Sequence, residues 1–285
     1  MRRLTFENAR GESIVFYLSP LVIESLSGIG EVGADLQSQR SPNQDGDTYI
    51  DTRLQPRFID LEGSITVTDF ERIREYRRTI SRVCNPKLGM GIITLELDGD
   101  IKQIGATLDS GVTFFERRRN PFQPFLITWK CPNPYWQSID QITEPLAAFV
   151  PKFTFPFSFP VKFGERGSEV TLYNDGDVPC PIEIEFNGPA TQPIITNRTT
   201  GEFIRVDREL FEGDKLIINT AYGRDRMVVI DRGNGVIKNA WHYIDIWDST
   251  LFFLDVGVNT IDYNALASGG QAVVNISYRK QYVGI

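Results

Sequence analysis

Short runs rich in β-branched and aromatic residues recur along nearly the whole chain, and Gly, Asn, Asp or Pro residues separate them. Runs of this kind bounded by turn residues are typical of β-strands. The clearest are ESIVFYL, RFIDLEGSITV, GIITLEL, IKQIGATL, FLITWKC, IEIEF, KLIINT and AVVNISY. The 285 residues reach the upper limit of a single hydrophobic core. The sequence therefore predicts a mostly β protein with two domains.

One segment, TDFERIREYRRTISRVCNP, has helical periodicity instead. Its apolar positions share one face of a helix predicted over about residues 69–84. These positions are Phe70, Ile73, Tyr76, Ile80 and Val83. Thr68 and Glu71 are spaced as a capping box, and Asn85-Pro86 is a stop signal. The other face carries five arginines, namely Arg72, Arg74, Arg77, Arg78 and Arg82.

A long polar stretch from Gly28 to Glu62 turns at SPNQDGD, and it predicts a hairpin or arm. Asp45, Asp47 and Asp51 make this arm acidic. Stretches of this length in compact domains are usually functional or reach a neighbour.

A domain boundary is indicated where CPNPYW ends the first strand pattern. We predict one domain over residues 1–136 and a second over residues 137–285. A Phe/Pro-rich strap at about residues 150–163 would open the second domain. Its phenylalanines alternate, whereas Pro156 and Pro160 share the other parity, which only an edge strand or a strap tolerates.

Charge and cysteine content limit the function. The net charge of −7 argues against a tightly bound nucleic acid, and 14 of the 17 cations up to Trp136 are arginine, which favours protein interfaces.

The widely spaced Cys84, Cys131 and Cys180 predict buried free thiols. The sequence lacks a membrane-length apolar run and a signal peptide, so assembly in a cytoplasm is expected.

The triplet Asp-Gly-Asp occurs three times and raises the possibility of a metal site. The copies centred on Gly46 and Gly176 have Thr52 and Ile182 where a calcium loop needs its final Glu. Asp98-Gly99-Asp100 lies between two alternating runs, which is typical of a hairpin. In YNDGDVPCP we expect Gly176 to adopt the positive φ of a tight turn.

Catalytic interpretations are weak. His242 is the only histidine, and no nucleophile motif accompanies it. Glu183 and Glu185 share one strand face, which is typical of a solvated face as well as of a glycosidase. We therefore predict no catalytic, metal or cofactor site. Trp241, Tyr243 and Trp247 leave open a platform for a glycan or a partner, although aromatic residues in a sandwich are mostly core.

The order of several motifs resembles the distal tail protein family of long-tailed, non-contractile bacteriophages that infect Gram-positive hosts. The motifs are LSGIG, SPNQDGDTYIDTRLQPRFIDLEGSI, CNPKLGMGIITLEL, CPNPYW, EVTLYNDGDVPCPIEIEFNGP, ITNRTTGEFIRV, LFEGDKLIINT, STLFFLDVGVNTIDY and AVVNISYRKQYVG. They cover nearly the whole chain.

This resemblance implies a structural hub in the virion tail, not an enzyme. Six copies would form a ring at the end of the tail tube, with a channel through which DNA passes without specific binding. The tail-tube protein would lie above the ring, and a tail-tip or tail-associated lysin protein below it. The first domain would be a β-sandwich with one helix and a long hairpin. The second would be a galectin-like β-sandwich that can carry receptor-binding proteins.

In such a ring the helix arginines and the arm aspartates are candidates for the subunit contact, because a ring needs complementary patches. The alternative function is a carbohydrate-binding β-sandwich that contacts host wall glycans, and a wall-degrading hydrolase is third. The second domain lacks the insertion found in members with an added carbohydrate-binding module, which disfavours the alternative.

Overall fold

The computed structural model describes residues 2–117, 121–147, 169–265 and 273–285. The chain divides into two compact units, of which the first comprises the residues up to Ile139 together with Tyr282–Ile285. The second unit is Asp140–Gln281. The predicted boundary at residue 136 assigned Tyr282–Ile285 to the second domain, whereas the structure groups them with the first unit. No sequence pattern signals this grouping. The predicted strap, about residues 150–163, lies outside the described residues.

The first unit is built on one long antiparallel sheet. In chain order its elements are β1 (Arg2–Glu7), β2 (Ser13–Phe16), β3 (Leu21–Ser27), β4 (Ala34–Gln39), β5 (Thr48–Leu54), β6 (Arg57–Ile65), α1 (Phe70–Val83), a 3-10 turn (Pro86–Leu88), β7 (Gly91–Leu97), β8 (Asp100–Leu108), β9 (Thr113–Phe114), β10 (Gln123–Cys131) and β11 (Trp136–Ser138). The main strand order is β2-β1-β7-β8-β10-β6-β3. A bridge between Tyr17 and Val22 joins the two ends, so the sheet curls around its core.

Alternation along the strands builds this core. In β10 every second residue from Gln123 to Cys131 is buried, and Trp129 is fully enclosed. The ring centroid of Trp129 lies 5.6 Å from that of Phe6 and 6.3 Å from that of Phe16. Such aromatic contacts add to the stabilisation from buried apolar area.

Helix α1 forms where it was predicted, with two differences. Asp69, not Thr68, is the N-cap, and its carboxylate accepts the Glu71 N–H at 3.2 Å. The capping-box prediction was therefore wrong by one residue, because Asp caps as well as Thr and stands one position closer to the first turn. Ile73, Ile80 and Val83 are buried, whereas Phe70 is 73% exposed.

In its described residues, the second unit contains two facing sheets and a separate short two-stranded ribbon. Its strands are β12 (Ile142–Ala147), β13 (Glu169–Asn174), β14 (Ile182–Asn187), β15 (Ala190–Thr191), β16 (Ile194–Asn197), β17 (Phe203–Arg205), β18 (Glu209–Leu210), β19 (Lys215–Asn219), β20 (Met227–Asp231), β21 (Ile237–Asn239), β22 (Gly257–Asn264) and β23 (Val273–Tyr278), with 3-10 turns at Gly223–Asp225 and Trp241–Tyr243. The last strand, β24 (Gln281–Tyr282), spans the division between the two units. One sheet has the order β12-β23-β14-β19-β20-β21, and the other β13-β22-β16-β17. Ile184 and Val274 of the first sheet and Ile195 and Ile261 of the second belong to one buried cluster. A shared core between two sheets is the arrangement of a β-sandwich.

The Asp-Gly-Asp triplets lie in turns. Asp98 (φ 50°) and Gly99 (φ 95°) connect the paired residues Leu97 and Asp100, which confirms the predicted hairpin. Gly176 does not have the positive φ that we predicted. It is a glycine because a Cβ there would lie 2.5 Å from the Gln281 carbonyl oxygen.

Candidate assembly interface

The arginine face of α1 is exposed along its whole length, because Ile73, Ile80 and Val83 turn the opposite face to the core. All five predicted arginines lie on the solvent side. The helix also carries Glu71 and Glu75, so its ionised side chains still sum to a positive charge.

These five arginines differ in the contacts that their guanidinium groups make. Arg74 lies 3.5 Å from the Glu71 carboxylate, and Arg82 lies 3.5 Å from that of Glu12. Arg77 stacks 4.7 Å from the centroid of Phe114. Within the described parts of the chain, Arg72 and Arg78 make no ion pair, so their charges are available to a neighbour.

Phe70 was predicted to face the core but lies exposed at the start of α1, where its ring packs 4.6 Å from the Arg117 guanidinium. Helical periodicity assigns Phe70 to the face of Ile73 and Ile80 and cannot show that the first residue of the helix is exposed while the later ones are buried. Phe70 therefore adds an apolar contact to the basic face of the helix.

The arm is a two-stranded hairpin of β4 and β5, which pair with each other and, among the described strands, with no third strand. Asp45 and Asp47 lie in the exposed turn at its tip. The Asp47 carboxylate accepts the Ser38 hydroxyl hydrogen. Asp51 lies on β5 and pairs with Arg53 at 3.6 Å. The three predicted aspartates are thus all exposed on the arm.

The two faces of the arm differ in polarity. Residues directly opposite in an antiparallel ladder share a face. The pairs Ala34↔Leu54, Leu36↔Thr52 and Ser38↔Tyr49 form one face, and Asp35↔Arg53, Gln37↔Asp51 and Gln39↔Thr48 form the other. A register shift between Gln37 and Ser38 places Tyr49 on the side of Leu36. Leu36 is 67% exposed and Tyr49 63%, so the described residues of the chain leave this apolar face uncovered.

The root of the arm contains a buried arginine that the sequence did not reveal. Arg57, the first residue of β6, is 1% exposed. Its guanidinium donates to the carbonyls of Gly28 (2.8 Å), Glu31 (2.9 Å) and Pro134 (2.8 Å). No spacing pattern signals it, since its acceptors are backbone carbonyls from distant segments.

The predicted aromatic platform of the second unit is not one exposed surface. Tyr243 is buried, and its hydroxyl oxygen accepts from Arg232 at 2.6 Å. Trp241 is half-buried against the core, whereas Trp247 is 98% exposed. Of these three aromatic side chains, only that of Trp247 is free to meet a ligand with a whole ring face.

The remaining candidate residues, which are two glutamates, one histidine and three cysteines, make contacts typical of structural residues. Glu185 pairs with Lys215 at 2.7 Å, and Glu183 accepts from Asn219 at 3.3 Å, as expected of neighbours on a solvated strand face. His242 is exposed and packs edge-on to Tyr243. The cysteines are free and buried, as predicted. Among the described residues, no group of three or more His, Cys, Asp or Glu side chains could hold a metal ion.

In the described part of the chain, no helix combines the length and apolar character needed to cross a membrane.

The chain is similar to known phage tail proteins. A model described as the phage tail protein RIFT-related domain matches residues 9–131, and one described as the C-terminal domain of the siphovirus-type tail component matches residues 175–282. The two matches together cover most of the chain. Comparison with curated protein sequences gave no match.

Solved structures agree on the fold. The Dit protein (gp 19.1) of phage SPP1, described as a paradigm of the hub adsorption apparatus in phages that infect Gram-positive bacteria, is similar with a TM-score of 0.68 and 11% identity over 98% of each chain. Chains of the phage P2 baseplate in its activated conformation, with Ca and with Sr, are similar with TM-scores of 0.56 and 0.55 and 12% identity over 100% of each chain. The chain therefore belongs to the siphovirus distal tail protein family, whose members are structural components of the virion tail and baseplate and not enzymes.

Proposed function

We propose that this protein is the hub of a tail tip, where copies of it form a ring, expected to be a hexamer, at the distal end of the tail tube. The ring joins the tail-tube protein to a tail-tip or tail-associated lysin protein. The observation that carries this proposal is the uncovered apolar face of the arm, Leu36 and Tyr49 above all.

A two-stranded ribbon is marginally stable in water unless its apolar face is covered. Since Leu36 and Tyr49 are exposed among the residues that the structure describes, a neighbouring copy is the simplest cover. An arm that reaches from one copy to a different patch on the next makes a heterologous contact, and such contacts form a ring when the rotation between copies closes.

Charge complementarity supports the same contact. The arm from Ala34 to Leu54 has four aspartates and two arginines, whereas α1 has five arginines and two glutamates. Opposite patches on one molecule favour head-to-tail association and speed correct encounters. In this proposal the helix arginines of one copy meet the arm aspartates of the next copy or of a stacked ring.

The second unit offers an attachment point in the Trp247 loop, residues 245–250. The Asp245 carboxylate accepts the Trp247 N–H at 3.3 Å, and Arg205 pairs with Asp245 at 3.3 Å and with Asp248 at 3.5 Å. The loop is thus fixed while the Trp247 side chain is 98% exposed. Tryptophan on a preorganised loop is a common anchor at protein interfaces, so a receptor-binding protein could dock here.

A central channel would pass DNA without holding it. Sequence-independent DNA affinity comes from cations that neutralise phosphates. A chain with a net charge of −7 supplies no overall attraction of that kind.

Negative-stain electron microscopy and mass photometry of the purified protein test the hub. We expect six-fold rings with an open centre, alone or after addition of the tail-tube protein. A monomer under both conditions would contradict the proposal.

A second candidate function, glycan binding, rests on a shallow cleft of about 300 Å³ lined by Gln192, Ile194, Arg205, Asp207 and Asp245. Trp247 follows Asp245 by two residues, and an exposed aromatic ring beside polar groups is a common way to bind a sugar. Calorimetric titration of the full chain with host wall polysaccharide, with Trp247→Ala as the control, distinguishes glycan binding from a purely structural hub function. Binding that Trp247→Ala abolishes would favour this candidate.

A further inference from the structure

The two ends of the arm meet at one buried side chain. Gly28–Glu31 lead into β4, and Arg57 follows the end of β5 by three residues. The Arg57 guanidinium donates to the carbonyls of Gly28, Ile29 and Glu31, with Ile29 at 3.2 Å. The Gln55 N–H also donates to the Gly33 carbonyl at 2.7 Å. The arm is therefore closed at its base as well as along its ladder.

Arginine suits this position because of its geometry. Its guanidinium is planar and presents five N–H donors, whereas lysine presents three from one point. Burial lowers the pKa of Arg57, and the nearby Cys131 and Glu31 side chains oppose only part of this shift. The carbonyl dipoles replace the lost water, as a buried charge requires.

Close packing fixes the same root from other sides. The Trp136 indole N–H donates to the Ile29 carbonyl at 3.0 Å. A Cβ on Gly28 would lie 1.8 Å from the Phe58 carbonyl oxygen, so the backbone passes there without room for a side chain. The Glu31 carboxylate accepts the Gly28 N–H at 2.9 Å, which lowers the pKa of that carboxyl.

The end of the chain completes the cluster. Arg57 donates to the Val283 carbonyl. A Cβ on Gly284 would lie 3.2 Å from the Gly30 carbonyl oxygen, so the terminal backbone packs directly on the segment that enters the arm. Tyr282 packs against Lys102, whose ammonium lies 4.4 Å from its ring centroid. Residues Tyr282–Ile285 belong to the first unit although they follow β23 of the second.

We propose that Arg57 is a positioning residue that makes the direction of the arm depend on the docked chain end, residues 283–285. The chain end supplies one of the acceptors of the guanidinium and the backbone against which Gly30 packs. Loss of the Arg57 guanidinium or of residues 283–285 leaves the core of the first unit intact but loosens the root of the arm. This inference rests on the proposed function only where ring formation is the consequence.

Hydrogen exchange followed by mass spectrometry tests the proposal on the full chain and on two variants, Arg57→Lys and deletion of residues 283–285. Exchange is compared on fractions of equal oligomeric state. We expect both variants to raise exchange in the arm, residues 34–54, at least about tenfold, while β7 and β8 change little. Val283→Ala keeps the backbone carbonyl and is expected to behave as the parent chain.

Two results would overturn the proposal. The first is unchanged arm exchange in the deletion variant. The second is an equal rise across the arm, β7 and β8, since this would make Arg57 and the chain end general stabilisers. If the arm loosens as expected but rings still form, the coupling holds and the proposed role of the arm in the ring fails.

Discussion

The Arg82 guanidinium lies 3.5 Å from the Glu12 carboxylate, so the last arginine of α1 is held by the turn between β1 and β2 of its own chain. Glu12 also accepts from Asn8 at 3.2 Å, which fixes its position. In the part of the chain that the structure describes, Arg72 and Arg78 form no such pair. The arginines of this helix therefore differ in their intramolecular contacts, although the sequence pattern does not distinguish them.

Charge reversal at Arg72 and Arg78 together is expected to abolish ring formation without changing the melting temperature. A like-charge contact at an interface is unfavourable by several kcal/mol, whereas both side chains are exposed in the single chain. Mass photometry and thermal unfolding measure the two effects. Lys238→Glu, on an exposed strand of the second unit, is the control, and rings that survive the double reversal would contradict the prediction.

The double substitution Leu36→Ser and Tyr49→Ser is expected to weaken association at least about tenfold, since each buried apolar side chain contributes about 1.5–3 kcal/mol. Their exposures of 67% and 63% predict little change in the stability of the single chain. Gln37→Ser alters the opposite face and should leave assembly unchanged. Equal assembly of both variants would show that the apolar face of the arm is not the contact.

The parts of the fold and of the candidate interface that could be predicted are those that depend on residues close together in the sequence. Alternation located strands such as β10 and β14, and Asp98-Gly99 located a hairpin, because each depends on neighbours in sequence. The arginine face of α1 and the acidic arm were also foreseen as candidates. Arg57 was missed because one of its acceptors, Val283, lies 226 residues away.

The register of the arm was hidden for a related reason. Strict alternation places Tyr49 with Asp51 and Arg53, on the polar side. The register shift beside Ser38 moves Tyr49 to the face of Leu36. A bulge depends on pairing and not on the pattern of one strand, so the uncovered apolar face became visible only in the structure.

Gly28→Ala is expected to destabilise the first unit by about 2–4 kcal/mol, because φ is +79° and the added Cβ would lie 1.8 Å from the Phe58 carbonyl oxygen. Gly30→Ala is the matched control two residues away, where a Cβ would meet nothing within 4 Å. Urea unfolding of the two variants measures the difference. Equal free energies of unfolding would mean that the backbone at Gly28 can move away.

Asn174→Ala is expected to destabilise the second unit by about 2–3 kcal/mol, because the buried amide organises the Asp-Gly-Asp turn. It donates to the carbonyls of Val178 and Leu254 at 3.1 Å and accepts the Gly176 N–H at 3.0 Å. Asp175→Asn, which removes only a half-exposed pair with Lys280, should cost less than about 1 kcal/mol. Calcium that stabilised the parent chain but not Asp175→Asn would restore the metal interpretation.

Alkaline pH is expected to destabilise the protein through its buried thiols. Burial raises the pKa of Cys84 from 9.0 to about 12, and it raises those of Cys131 and Cys180 to about 12 as well. The unfolded chain then loses these protons first, so the stabilisation is complete below about pH 9 and is lost as the pH rises towards 12.

At about pH 10 the difference for one thiol corresponds to about 1 kcal/mol. Urea unfolding at about pH 8 and pH 10 should therefore give a smaller loss of stability for Cys84→Ala than for the parent chain. The substitution also leaves a small cavity, which lowers stability equally at both pH values and so does not alter this difference. A loss of the same size in the two proteins would mean that the Cys84 thiol ionises as readily in the folded chain as in the unfolded one.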